Sequence, residues 1–535
     1  MKMEKISFTT GLILSAVLLS GCQAEKIDIA APGLDAATGN VIIVNANIIN
    51  GTGSPAYTGA VRISGDKIAA VGNLSPQPGE TVVDAMGKVV APGFIDTHSH
   101  LELIVDDDPL VTPAITQGIT TVVVGQDGFS PYPLQEWYQK LEVQGVGPNV
   151  ASYAGHNTLR ALVLTDDAQR PATALEIDRI SVLLAQEMGS GALGLSTGLE
   201  YDSGIYSDSR EIISLVETAK NGGGRYITHI RSEDRDFWPA LEEAIEVGRE
   251  TGIPVQISHI KLSMKSLWGQ AEKVLERLQA ARAEGIDVTA DIYPYSYWKS
   301  TMTVLLPERN LQDRAALEYA FREIAPPEKI VVTLYQPDAA LVGKSIADIA
   351  RERSQDPVTT YLELLQQSDA LAAERGVIRQ EIAGIVAHAM SEEDIETFMG
   401  WEHTNICSDG EKDAHPRAYG AYPRVLARYV RDRSALTVEQ AVRKMSALAA
   451  AHMGIADRGL LVPGMYADLV LFDPDLIQDH ASIENPGALS TGIDRVWVNG
   501  ELVIVDGAPS SALPGRVLRR SAVNRVNAAS VDTLQ

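Results

Sequence analysis

Hydrophobic and polar positions divide the chain into three textures. Short strand-like runs come first, at 41–44, 59–63, 67–72 and 81–84, with Gly65-Asp66 as a turn signal. The same texture returns near the other end, at 464–473 and 496–504. Each piece is small for a core of its own, so the pattern predicts one small β-sandwich domain, residues 41–91 plus 455–515, built from both termini. Between them, residues 92–454 alternate short apolar strands with helical runs. Eight strands are predicted, at 93–96, 120–124, 149–153, 193–196, 226–229, 255–259, 288–291 and 404–408. Helical periodicity fills 174–188, 209–221, 238–252 and 271–285, several runs closing on Gly. Repeated βα units imply a parallel sheet, and eight fit a closed (β/α)8 TIM barrel, an α/β fold. The interval 296–381 contains no strand in sequence with the rest. It is read as a largely helical insertion between strands seven and eight.

Composition narrows the class. The 535 residues are 45% hydrophobic and 21% charged, which excludes a disordered or coiled-coil chain. A formal charge of −25 repels phosphate backbones, so nucleic acid is excluded as a partner. Two cysteines, Cys22 and Cys407, leave no disulfide framework. Lys2 and Lys5 precede an uncharged stretch, 6–19, that is too short to span a bilayer as a helix. Leu19-Ser20-Gly21-Cys22 follows, completing an export signal over 1–21, with 22–40 as a tether. The sequence around Cys22 resembles a bacterial lipobox, and Gln23 resembles the outer-membrane form. A lipoprotein on the periplasmic side of the outer membrane is expected, touching membrane only through the lipid on Cys22. A plain cleaved signal with a chance cysteine is the alternative.

Candidate chemistry gathers at strand ends. His98 and His100 end strand one, His229 strand five, His259 strand six and Asp291 strand seven, while Asp409 follows strand eight. Carboxyl ends of barrel strands converge on one mouth. Any single histidine there is more often structural; four of the chain's ten, with two aspartates, reverse that expectation. His98 and His100, two apart on a strand, face one centre. Histidine nitrogen and carboxylate oxygen bind Zn²⁺ and related divalent ions. Such an ion brings the pKa of a bound water toward ~7. Asp409 would take a proton from that water and deliver it to a leaving group, as general base and then acid. Metal-assisted hydrolysis is the reaction class. Cys407, in strand eight, reads as a small buried residue rather than a nucleophile.

Pro92-Gly93-Phe94-Ile95-Asp96-Thr97-His98-Ser99-His100 resembles the opening motif of the amidohydrolase superfamily. Within it the chain is similar to the N-acyl-D-amino-acid deacylases (the D-aminoacylase family), through Gly118–Gly125, Gly191–Gly198, Thr228-His229-Ile230-Arg231, the stretch from Gln256 to Lys261, Asp291-Ile292-Tyr293-Pro294-Tyr295, Ser408-Asp409-Gly410 and His415-Pro416-Arg417. The resemblance spans the barrel. It implies hydrolysis of the amide of an N-acyl-D-amino acid, with one or two Zn²⁺, or other divalent ions, held by His98, His100, His229, His259 and Asp409. It also implies a substrate-carboxylate cluster of Lys261, Tyr293, Ser300 and Arg417. Arginine suits that task because its guanidinium makes two parallel hydrogen bonds to a carboxylate.

Two departures stand out. Typical members have Asn-Cys-Gly after strand two, with the cysteine on the metal; this chain has Gln126-Asp127-Gly128. Asp127 is therefore the candidate ligand, a harder donor than thiolate, with Glu200 as the alternative metal bridge. A carboxylated lysine on strand four is absent, since no lysine lies between Lys140 and Lys220. The stretch 294–301 is bulkier than the family's usual version, with Tyr297 and Trp298. Tyr201 is placed at the mouth; His156 is read either there or as structural. Alternatives to the deacylase are a dipeptidase or cyclic-amide hydrolase of the same superfamily and, more remotely, a non-catalytic lipid-anchored binding protein.

Overall fold

The computed structural model describes residues 40–377, 379–411 and 415–520. Cys22, the export signal and nearly all of the tether lie outside the described residues.

Eight parallel strands form the barrel: Phe94–Asp96, Ile119–Val124, Asn149–Ser152 continued by Ala154–Gly155, Gly194–Gly198, Arg225–His229, Val255–Ile257, Val288–Ile292 and Thr404–Ile406. Ile119–Val124 and Val288–Ile292 are buried at every position, because helices cover the outside and side chains fill the inside. Closure comes from a parallel bridge between Ser99 and Gly410, just beyond strands one and eight. Covering helices begin and end on recognisable signals. Ala174–Ser190 starts on a Thr173/Glu176 capping box and stops at Gly191, in the left-handed region at φ +105°.

Both ends of the described chain meet in one sheet of nine strands. Val41–Ile48 and Val89–Pro92 pair side by side, and Leu469–Phe472 then adds antiparallel to Val89–Pro92, with Leu469 opposite Pro92. The sheet curls over a core that includes Ile43, Val61, Val90, Leu469 and Trp497. A bridge from Lys67 to Tyr466 brings its far edge round. The expected two layers are thus one continuous hydrogen-bonded sheet. At the barrel floor Asp468 accepts from Asn499 N at 2.7 Å and from Asn149 Nδ2 at 3.1 Å, and Arg458 pairs with the same carboxylate.

The insertion is not purely helical. Tyr297–Thr301, Ala383–His388 and Ile330–Tyr335 make a three-stranded antiparallel sheet, packed with helices Arg314–Glu323, Ile346–Arg353 and Pro357–Arg375. Its middle strand begins after residue 381, so the insertion runs past its expected end. Arg309 Nε and Arg379 Nη1 reach Asp202 at 3.2 and 3.0 Å, pinning the insertion to the loop after strand four. Among the described residues, no helix is long and apolar enough to cross a membrane.

Candidate active site

Strands one and eight zip together beyond their ends. Asp409 N donates to His98 O at 2.8 Å and His100 N to Gly410 O at 2.9 Å. Asp96, fully buried, accepts from Ser408 N at 2.9 Å and from the Ser408 hydroxyl. This backbone ladder sets His98, His100 and Asp409 side by side. Asp127 enters from the loop after strand two with φ +54°, a conformation aspartate tolerates better than most residues. Its carbonyl passes so close to Gly198 that a Cβ there would lie 2.1 Å from it. His259 is held by its own N–H, which donates to Asp291 Oδ1 at 2.6 Å.

The six residues expected to bind metal converge. His98 Nε2 lies 3.4 Å from Asp127 Oδ1 and 3.6 Å from Asp409 Oδ1. His100 Nε2 stands 3.5 Å from Asp127 Oδ2 and 3.4 Å from Asp409 Oδ1. His259 Nε2 is 3.4 Å, and His229 Nδ1 4.0 Å, from Asp127 Oδ1. Most of these separations are long for hydrogen bonds. They match atoms sharing a central ion, since tetrahedral ligands ~2.0–2.2 Å from zinc sit roughly 3.3–3.6 Å apart. Both ring nitrogens of His98, Asp127 Oδ1 and Asp409 Oδ1 are buried without hydrogen-bond partners. Buried polar groups are otherwise satisfied as a rule, so the donor set fits a divalent cation.

Electrostatics agree. Burial alone would raise Asp127 and Asp409. The imidazoles of His98 and His259 nevertheless hold Asp127 well below the carboxylate range, and Arg417, then His259, hold Asp409 below it. Burial and Lys261 pull His259 down, but Asp127, Glu233 and Asp409 raise it to about 10.

A second group, His229, Glu233 and His259, is also close enough to hold an ion. The ammonium of Lys261 already occupies it, pairing with Glu233 and lying 2.7 Å from His259 Nδ1. Glu233, which the sequence reading missed, also lies 3.0 Å from His259 Nδ1. Glu200 is not among the clustered carboxylates: its Oε2 sits 2.9 Å from His229 Nε2, the nitrogen turned away from Asp127. That contact fixes the ring so that Nδ1 faces Asp127.

A cleft opens beside the cluster, lined by Tyr201, Lys261, Tyr293, Ser300, Asp409 and Arg417 among others. All four expected substrate residues are there. Tyr293 lies between the cations, with Arg417 4.7 Å and Lys261 5.6 Å from its ring centre. Arg417 Nη1 meets Asp409 Oδ2 at 2.6 Å. His156 is not at the mouth; it is buried against Glu211 at 2.8 Å, and Arg160 reaches the same carboxylate. Cys407 Sγ lies 3.2 Å from Asp291 Oδ1, and burial keeps it a thiol.

Known proteins match over most of this chain. The pattern of the Amidohydrolase family covers residues 81–360 and 402–504. N-acyl-D-glutamate deacylase of Alcaligenes xylosoxydans xylosoxydans is 36% identical over 508 residues, covering 90% of this chain and 97% of that protein. D-aminoacylase of the same organism is 34% identical, covering 90% and 98%. The crystal structure of N-acyl-D-glutamate deacylase from Bordetella bronchiseptica, complexed with zinc and a phosphonate mimic of the tetrahedral intermediate, aligns with a TM-score of 0.79 at 34% identity, covering 90% of this chain and 99% of that one.

Proposed function

The chain belongs to the amidohydrolase family, and on that premise we propose that it hydrolyses N-acyl-D-amino acids to a carboxylate and a free D-amino acid. It is a metal-dependent amide hydrolase. His98, His100, Asp127, His229, His259 and Asp409 would hold the metal, and Zn²⁺ suits their nitrogen and oxygen donors. When bound, the ion polarises the amide carbonyl and acidifies the attacking water.

The chain's own groups do the rest. Asp409 keeps Oδ1 toward the cluster without a protein partner. There it takes the proton from the attacking water and returns it to the departing amine. Arg417, Tyr293, Ser300 and Lys261 hold the substrate carboxylate. Tyr293 is raised well above its ordinary value by burial, so it remains a hydroxyl donor. Arg417 is engaged by Asp409 at Nη1, yet its buried Nε has no partner in the folded chain, and a substrate oxygen would satisfy it.

The observation that carries the reading is the unpartnered, buried His98–Asp127–Asp409 group beside a buried guanidinium in one cleft. Hydrolysis of paired N-acetyl-D- and N-acetyl-L-amino acids, with metal measured on the same sample, tests it. Turnover of the D series that scales with metal content is expected; equal turnover of both series would remove the D assignment. The second part of the proposal is location: a lipoprotein on the periplasmic side of the outer membrane, anchored through Cys22. Its support is Lys2, Lys5, the apolar 6–19 stretch and Leu19-Ser20-Gly21-Cys22.

A further inference from the structure

Among the described residues, four side-chain donors lining the cleft lack a partner in the folded chain: Ser263 Oγ, Trp298 Nε1, Ser300 Oγ and Arg417 Nε. Ser300 and Arg417 already have a role. Trp298 does not, although it is 93% buried by its 7% exposure. Trp298 and Ser300 lie two apart on Tyr297–Thr301 and so project from the same face of that strand. Their backbones are fixed by pairing with Ala387 and Ile385. The strand is also tied to Arg417 through one imidazole. His415 Nδ1 accepts from Arg417 N at 3.0 Å, and Nε2 donates to Tyr297 O at 3.1 Å. Burial and Arg417 hold His415 well below its ordinary value, so it is neutral and the tautomer follows from these two bonds.

A buried indole N–H normally finds an acceptor. Here Trp298, Ser300 and Arg417 bring unpartnered donors to one cleft from two connected elements. A negatively charged group rich in acceptors would satisfy them and match the Arg417 charge. A carboxylate has about four lone-pair sites, enough for all three.

We propose that Trp298 is a substrate-binding residue whose indole N–H donates to a carboxylate oxygen of the acyl amino acid, alongside Ser300 and Arg417. This rests on the deacylase reading. The carboxylate is either the α-carboxylate or that of an acidic side chain, and the substrates below separate the two.

The test compares the metal-loaded parent with Trp298→Phe on N-acetyl-D-leucine, N-acetyl-D-glutamate and N-acetyl-D-leucinamide. Losing a hydrogen bond to a charged group should raise KM roughly ten-fold, with kcat changed less than about three-fold. An increase for both acids assigns the indole to the α-carboxylate; an increase for glutamate alone assigns it to the side chain. Leucinamide should be insensitive in the first case. Calorimetric binding of free D-leucine and D-glutamate should weaken in parallel, which reads contact without turnover. Trp298→His keeps a ring N–H and should lose less affinity than Trp298→Phe. Metal content and melting temperature are measured on each variant. Unchanged KM and product affinity for both acids in a folded, metal-loaded Trp298→Phe would overturn the assignment. A parent that cleaves none of the three fails the deacylase reading instead.

Discussion

Arg417 Nη1 stands 2.6 Å from Asp409 Oδ2, so the residue assigned to proton transfer and the residue assigned to the substrate carboxylate form one buried ion pair. From the sequence Asp409 reads as the proton carrier and Arg417 as a holder of the substrate carboxylate, with no contact between them foreseen. The pair couples them. Asp409→Asn should lower kcat by ~10²–10⁴-fold, the usual share of general acid–base help. Arg417→Ala should raise KM and also lower kcat, because it leaves Asp409 buried beside the cluster without its counter-charge. In the double variant the two losses should fall short of multiplying, by about 0.5–3 kcal/mol. Strictly multiplicative kinetics would mean that the pair is not formed in solution.

Asp127 calls for a substitution chosen by backbone. With φ at +54°, Asp127→Ala would mix strain with ligand loss, whereas Asn accepts the left-handed region and removes only the charge. Asp127→Asn should lower metal per chain and cut activity at least ~10-fold in step. Glu200→Gln should keep most of the metal, since Glu200 reaches the cluster only through His229 Nε2. Full occupancy and normal rate in Asp127→Asn would exclude Asp127 as a ligand.

Eight strands and their helices were legible because fully buried parallel strands read as continuous apolar runs bounded by turn signals. The convergence of His98, His100, His229, His259 and Asp409 followed from position at strand ends. The inserted sheet was not legible. Tyr297–Thr301 contains Trp298, Lys299 and Ser300 in succession, a pattern with no period, and its partner Ala383–His388 lies across three helices. Likewise, nothing in spacing announces that Lys261 fills the Glu233–His259 gap or that Arg417 folds back on Asp409. Those contacts depend on side-chain reach between loops, which periodicity does not encode.

Stability should fall on acidification for a reason outside the metal site. His452 is buried, with Nδ1 2.6 Å from Asn405 Oδ1. Burial, then Arg225, holds it well below its ordinary 6.5. The unfolded chain takes up this proton as pH drops through about 6.5 while the folded chain does not. It thus binds more protons, and stability declines by up to about 1.4 kcal/mol per pH unit below that point, with no contribution above it. Urea midpoints of the metal-loaded protein from pH 8 to 5 should show a shallower decline in His452→Gln than in the parent. Parallel profiles would count against a titrating His452.

Export is tested by fractionation. Cys22→Ser should release the protein from membranes with the activity of the purified enzyme intact. A variant that stays with the membrane fraction would rule out lipidation at Cys22.

The pairing of Leu469–Phe472 with Val89–Pro92 has a temporal side. Val89–Pro92 leaves the ribosome before any barrel strand, yet its neighbour emerges only after the last one. Contacts so distant along the chain form late, since the intervening loop must be ordered first. Throughout synthesis the early strands therefore present an open edge and an uncovered apolar face, inviting a holding chaperone and hazardous without one. A chain truncated before Leu469 would remain in that state permanently, however complete its barrel.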